Sequence, residues 1–305
     1  MTIKEILNNS LLPRPEAEML LAFLLGLERP TVLTHPEIEL TAAQYRHYEK
    51  LVKKRLAGQP IAYLTGEKEF YGLKFLVNRS VLVPRPETEM IVDSILADLK
   101  NRPRPLEVVD LGTGSGAIVI SLAVEMKKSW PQLAASSHFL GTDISTAALK
   151  VARQNAKNNG STVDFRRHDL WTGIKVSKTN KADKNGQTNK TANRLDLVIT
   201  ANLPYLTPAQ IKRSPSIHFE PTLALDGGRD GLKYYRRLFK QLKRSFPVAE
   251  RSDLAARKIS LYCEIDPTQT IDLKRLADHL LPRAELQIDR DLKNNNRLAR
   301  ISWAN

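Results

Sequence analysis

Between Leu106 and Met126 a short apolar run, Val108-Val109-Asp110-Leu111, breaks at Gly112-Thr113-Gly114-Ser115-Gly116 and resumes as AIVISLAVEM, which has helical periodicity. A strand that turns into a helix within so few residues needs backbone conformations that glycine adopts without strain, and it opens a βαβ unit. The alternation continues to the end of the chain. FLGTDI reads as a strand, STAALKVARQNAKNNG as a helix capped by Ser145 and stopped by Gly160. VDFRRHDL, LDLVIT and ISLYCEI read as further strands, with a helix near Lys233 to Phe246. This order predicts an α/β fold with a mostly parallel sheet covered by helices on both faces. AELQIDRDL and RLARISW are too close together for a helical crossover, so they are expected to pair antiparallel at one sheet edge.

The first 65 residues are of another kind. Thr2 with Glu5, and Thr41 with Gln44, each fit a capping box, in which side chains satisfy the first unpaired N–H groups of a helix. Tyr45, Tyr48, Val52 and Leu56 then recur at helical spacing until Gly58 and Pro60 stop the run. Residues 1–65 read as a small all-helical domain. Residues 66–83, with aromatic and β-branched residues around Gly72 and a turn-like Asn78, read as a hairpin linker. Residues 84–305, opened by a helix after Pro86, form the α/β domain.

Cys263 is the sole cysteine, which excludes an intramolecular disulfide and a Cys-based metal cluster and points to a reducing cytoplasm. No apolar run is long enough to span a bilayer, and MTIKEILNNS lacks the basic-then-apolar pattern of a secretory signal. A cytoplasmic protein without a membrane partner is therefore expected. The net charge of +14 sits mostly in residues 175–194, with six Lys/Arg against Asp183, and 229–258, with ten against three acids. Such tracts attract nucleic acid or ribosomes non-specifically, although a solvated face and a loop account for them as well. KVSKTNKADKNGQTNKTANR, with almost no apolar residue, is read as a mobile basic insertion over 175–194.

The chemistry-bearing residues fall at strand ends. Taken alone, the turn Gly112 to Gly116 suits dinucleotides as well as adenosine-type cofactors. Asp110, at the strand end beside it, would repel a pyrophosphate but can hydrogen-bond the ammonium of S-adenosyl-L-methionine. Asp143, at the end of the next strand, can accept from both ribose hydroxyls. Either acid could instead cap the turn that follows it. After LDLVIT comes Asn202-Leu203-Pro204-Tyr205. An amide or aromatic amine is a poor nucleophile because its lone pair is delocalised, so its nitrogen must be held in line with the methyl donor. The Asn202 oxygen and the following peptide carbonyl can accept its two N–H groups, with Pro204 stiffening the backbone and Tyr205 stacking on the planar group. A Pro-containing turn with a buried Tyr is the structural alternative. Of the histidines His168 lies nearest, Cys263 reads as core, and no metal-ligand spacing appears. Arg85 and Glu87 either shape the substrate mouth or join the two domains, and Glu220, Pro221, Asp226, Gly227 and Gly228 read as loop-shaping.

GQPIAYLTGEKEFYGLKF, VLVPRPETE, DLGTGSGAI, ANLPY, FEPTLALDGGRDGL and DLKNNNRLARI occur in an order similar to that of the PrmC/HemK group of release-factor glutamine methyltransferases. The resemblance runs from about Gly58 to the C-terminus. It implies a class I S-adenosyl-L-methionine-dependent methyltransferase domain, Rossmann-like with a seven-stranded sheet, and N5-methylation of the glutamine in the Gly-Gly-Gln loop of class 1 release factors. On that basis Asp110, Gly112, Thr113, Gly114, Ser115, Gly116 and Asp143 bind the cofactor, Asp169 and Leu170 flank its adenine, and Asn202 also touches it. Asn202, Leu203, Pro204 and Tyr205 clamp the substrate amide, with Asn202, Pro204 and Tyr205 as catalytic residues, and the helical domain helps to grip the release factor. Two departures stand out. Leu203 occupies a position where the family usually has Pro, and Asn-Leu-Pro-Tyr is also similar to the motif of rRNA adenine dimethylases, so N6-adenine methylation of RNA or DNA is the alternative. Trp171 next to Leu170 leaves two candidates for the adenine contact. A nicotinamide-dependent oxidoreductase and a silent binding module are more distant readings.

Overall fold

The computed structural model describes residues 1–176, 195–246 and 258–304. The basic tract from 177 to 194 therefore lies outside the described residues. Five helices open the chain: α1 (Ile3–Asn8), α2 (Arg14–Leu25), α3 (Arg29–Thr34), α4 (Ala42–Leu56) and α5 (Ile61–Thr65). Both capping boxes form, Thr2 with Glu5 and Thr41 with Gln44. The apolar faces of these helices close on a core of Ile3, Ile6, Leu20, Leu21, Val32 and Leu51. One acid is buried with them. Glu18 is held by Arg29 at 2.7 Å and Arg14 at 3.2 Å, so its charge is compensated.

Strands β1 (Glu67–Phe70) and β2 (Leu73–Leu76) form an antiparallel hairpin. Its turn residues Tyr71 and Gly72 both have positive φ, 51° and 69°, the conformation that matches the twist of a two-residue hairpin. The hairpin is shorter than the expected 66–83, because pairing ends at Leu76. Asn78 then makes a turn, accepting from the Ser80 and Val81 N–H groups, and Val77, Val81 and Val83 enter a small core with Ala62, Ala148 and Val151.

The remainder comprises α6 (Glu89–Asn101), β3 (Leu106–Leu111), α7 (Ala117–Ser129), α8 (Pro131–Ala135), β4 (His138–Asp143), α9 (Thr146–Asn158) and β5 (Asp164–Arg167). After the basic tract follow β6 (Asp196–Ala201), α10 (Pro208–Arg213), α11 (Lys233–Ser245), β7 (Lys258–Glu264), α12 (Thr270–Leu280), β8 (Glu285–Arg290) and β9 (Asn296–Ala304). A seven-stranded sheet runs in the order β5-β4-β3-β6-β7-β9-β8, parallel except for β9, which is antiparallel to both β7 and β8. Helix α12 has no counterpart in the sequence reading. Asp272, Lys274, Arg275 and Asp278 dilute its apolar stripe of Leu273, Ala277 and Leu280, which packs into the sheet core.

The chain runs outward from β3 through β4 to β5, then returns to place β6 on the other side of β3. At this reversal the connections leave in opposite directions, and a crevice opens beyond the carboxyl ends of the strands. Asn155 on α9, fully buried, ties the hairpin to this crevice. Its amide donates to the carbonyls of Leu76 and Ser115 and accepts from the Leu76 N–H at 2.7 Å. Removing it strands three backbone groups. Asn155→Ala is expected to destabilise the protein by about 2–3 kcal/mol in denaturant unfolding, because buried unpaired polar groups lose their solvation without compensation. A change within about 0.5 kcal/mol would show that the tie carries no load.

Candidate active site

The turn after β3 adopts the backbone that its glycines permit. Gly114 and Gly116 have φ of 54° and 84°, and a Cβ on Gly116 would come within 2.6 Å of Ile120. The turn is pinned from the neighbouring strand, as the Thr113 N–H donates to the Thr142 carbonyl and the Gly114 N–H to Asp143 Oδ2 at 3.0 Å. Asp143 Oδ1 also accepts from the Ser145 N–H at 2.8 Å. Asp110 lies beneath the turn, 1% exposed, accepting from the hydroxyls of Thr113 and Thr200 at 2.6 Å each. Burial pushes its carboxyl up to about 6 against the lowering effect of these hydroxyls. Burial likewise raises Asp143 despite its backbone donors. Both acids thus hold local structure, and each retains free lone pairs.

Gly112, Thr113, Gly114, Ser115, Asp143 and Ser145 line a cavity of about 220 Å³, whereas Asp110 stands behind Thr113, outside that lining. Leu170, with φ 54°, and His168 and Asp169 form one side of it, and Asp169 is paired with Arg237 of α11 at 2.6 Å. Trp171 turns away into the core, its ring 5.4 Å from that of Phe246, so of the two neighbours Leu170 lines the cavity. Ile144 and Leu223 also line it while remaining 43% and 52% exposed. Neither was singled out from the sequence. Ile144 follows Asp143 directly, which was the available signal; Leu223 comes from a remote loop and had none.

Asn202 to Tyr205 emerge from β6 next to the turn. Leu203 is 2% exposed, and its side chain packs on Gly112, where an added Cβ would lie 3.2 Å from Leu203 Cδ2. Leucine at this place fills a gap in the core. The Asn202 amide nitrogen donates to Glu264 Oε2 at 3.0 Å and to Thr88 Oγ1 at 3.1 Å. Its oxygen is buried and, among the described residues, has no hydrogen-bond partner. The Tyr205 hydroxyl donates to Glu264 Oε1 at 3.0 Å, and the Tyr205 carbonyl accepts from Gln269 at 2.6 Å. Burial and the adjacent Glu264 charge push the Tyr205 phenol far above its ordinary range, and burial raises Glu264 as well.

Glu264, Thr88 and Gln269 were all missed from the sequence. Glu264 is the last residue of β7, and an acid at a strand's carboxyl end is the same signal that marked Asp110 and Asp143. Arg85 donates to Glu220 at 2.5 Å, and Glu220 also accepts from the Val83 N–H, so the segment after the hairpin is tied to the loop over the cavity. That loop backs the clamp closely: a Cβ on Gly227 would lie 2.7 Å from the Pro204 carbonyl oxygen.

A second, larger groove of about 1340 Å³ runs between α2, α5, the hairpin and the segment after Asn202. It shares Leu82, Pro84, Arg85, Asn202, Leu203 and Ala224 with the smaller cavity. Asn202 therefore stands where the two spaces meet. Among the described residues no group of His, Cys, Asp or Glu is arranged to hold a metal ion, and no helix is long and apolar enough to cross a membrane.

The sheet order and the crevice define a class I methyltransferase. Residues 104–245 match the family described as methyltransferase domain, and residues 3–66 match the PrmC N-terminal domain. The hMettl16 catalytic domain, solved with a MAT2A 3′UTR hairpin, shares the fold with a TM-score of 0.52 at 12% identity, over 93% of this chain and 90% of that one. The release factor glutamine methyltransferase of Bacillus cereus is 32% identical over 285 residues, covering 92% of this chain and 89% of the relative. That of Neisseria gonorrhoeae is 36% identical over 78% of each, and that of Moorella thermoacetica 38% identical over 73% and 71%. The chain belongs to the release factor glutamine methyltransferase family.

The raised Asp110 carboxyl binds its proton more tightly in the folded than in the unfolded chain, so its ionisation removes stability as pH rises from about 4 to about 6. Asp110→Asn is expected to gain roughly 2–3 kcal/mol relative to the wild type between pH 4 and pH 7 in urea unfolding. A pH-independent difference would contradict the burial account.

Proposed function

We propose that this enzyme transfers a methyl group from S-adenosyl-L-methionine to the N5 nitrogen of the glutamine side chain in the Gly-Gly-Gln loop of class 1 peptide chain release factors. The residues around the smaller cavity suit that cofactor. Gly112 and Gly114 bring the backbone of the turn to its wall, Asp143 offers a carboxylate for ribose hydroxyls and Leu170 an apolar face for the adenine, while Asp110, buried beneath the turn, would act on an ammonium through the Thr113 hydroxyl or a water. Thr113, Ser115 and Asp169 complete the set of expected contacts. Bound S-adenosyl-L-methionine supplies a sulfonium-activated, electrophilic methyl group.

The observation that carries the reading is the unpaired, buried oxygen of Asn202 at the junction of the two spaces. A buried acceptor without a partner loses its hydration for nothing unless a ligand donor fills the place. A primary amide entering from the open groove brings such a donor. Asn202 Oδ1 accepts one N–H, the peptide carbonyl after it accepts the other, and the nitrogen is held in line for displacement. The methyl group that the cofactor would supply there would be taken up by the nitrogen lone pair, and the amide proton would then pass to solvent. Alignment in a water-poor site then supplies most of the acceleration, without a strong base. The helical segment 1–65 borders the groove through Glu16, Met19 and Phe23, and it is read as the part that grips the release factor in the cytoplasm.

Methyl-labelled cofactor offered with a class 1 release factor, its Gly-Gly-Ala variant or ribosomal RNA tests the reading. Label is expected in the Gly-Gly-Gln factor alone; label in RNA would establish the adenine alternative instead. Asn202→Ala is expected to lower turnover by about a hundredfold or more while retaining cofactor binding by calorimetry. Asp143→Ala is expected to weaken cofactor binding by about tenfold or more in the same titration, since charge-assisted hydrogen bonds are lost.

A further inference from the structure

We propose that Glu264 and Thr88 are positioning residues that hold the Asn202 amide in the one orientation that turns its oxygen toward the substrate. This rests on the role given to Asn202 above. A primary amide has nearly the same shape at its oxygen and its nitrogen, so packing alone does not choose between them. The choice is made by the partners. Glu264 as a carboxylate only accepts. Thr88 gives its hydroxyl proton to Glu264 Oε2 at 2.5 Å and therefore faces Asn202 with its lone pairs.

Behind Asn202 there are thus two acceptors, at 3.0 and 3.1 Å, and both require the NH2 group. The flipped amide would set its oxygen against both, lose two hydrogen bonds in a buried site, and meet the substrate N–H with another donor. Glu264 is itself locked. Its Oε1 accepts from Tyr205, its backbone carbonyl accepts from the Tyr235 hydroxyl, and its side chain is buried. It lines neither of the two spaces, whereas Asn202 lines both. Glu264 therefore acts through Asn202, and proton transfer from the substrate is not its task. One carboxylate at the end of β7 sets the polarity of the acceptor at the end of β6.

Steady-state kinetics on the Gly-Gly-Gln factor, with cofactor affinity and melting temperature measured alongside, test the proposal in Glu264→Gln, Glu264→Leu, Thr88→Val and Thr88→Ser. Thr88→Val keeps the shape and removes the hydroxyl. It and Glu264→Gln are expected to lower kcat by about tenfold or more, with KM for the factor and cofactor Kd within about threefold of wild type, and Glu264→Leu to lower kcat further. Thr88→Ser is expected to recover most of the loss. Wild-type kcat in folded Thr88→Val, or Thr88→Ser as slow as Thr88→Val, would overturn the positioning role. The threonine pair decides the matter where the Glu264 variants do not fold. Full turnover in Asn202→Ala would instead defeat the reading of Asn202 itself, whatever Glu264 does.

Discussion

The pairing of β3 with β4 on one side and β6 on the other is what every part of the cleft depends on. A parallel sheet needs a crossover between successive strands, and when the chain reverses its direction of travel across the sheet, two crossovers part and leave a crevice. Into that one crevice come the glycine turn after β3, Asp143 at the end of β4, Asn202 just beyond β6 and Glu264 at the end of β7. β3 and β6 are buried along their whole length, so their ends move little relative to each other.

A consequence is that carboxylates stand at the ends of β4, β3 and β7 in surroundings that disfavour charge. Burial raises Asp110, Asp143 and Glu264 alike, and in each case hydroxyl or N–H donors oppose that rise. Each acid serves a different neighbour. Asp110 gathers Thr113 and Thr200, Asp143 gathers the Gly114 and Ser145 N–H groups, and Glu264 gathers Thr88, Asn202 and Tyr205. The cost of burying these groups is offset by the hydrogen bonds they accept, and the same bonds fix the two loops in place.

Much of this was legible from residue order. The strand–turn–helix at Asp110 to Ala117, the alternation that follows, the antiparallel closing pair and both helix caps rest on local chemistry, with glycine conformations, periodicity and side-chain caps all acting within a few residues. Helix α12 was not, because its charged face hides a narrow stripe. The end of the hairpin was not, because it is set by Val77, Val81 and Val83 finding Ala148 and Val151 on a distant helix. The split between Leu170 and Trp171 depends on Phe246, remote along the chain, filling the space beside the indole.

The sequence by itself determined an α/β fold of mostly parallel strands behind a helical segment, the glycine turn after β3, and the amide of Asn202 as the group to watch. Those features are written in neighbouring residues. Only the tertiary structure decided which atom of that amide is free, since the decision lies with Thr88 and Glu264, which stand 114 and 62 positions away along the chain. The physical reason is that hydrogen-bond polarity belongs to contacts between elements. Sequence names the groups that can donate and accept, and the folded sheet settles which of them face each other.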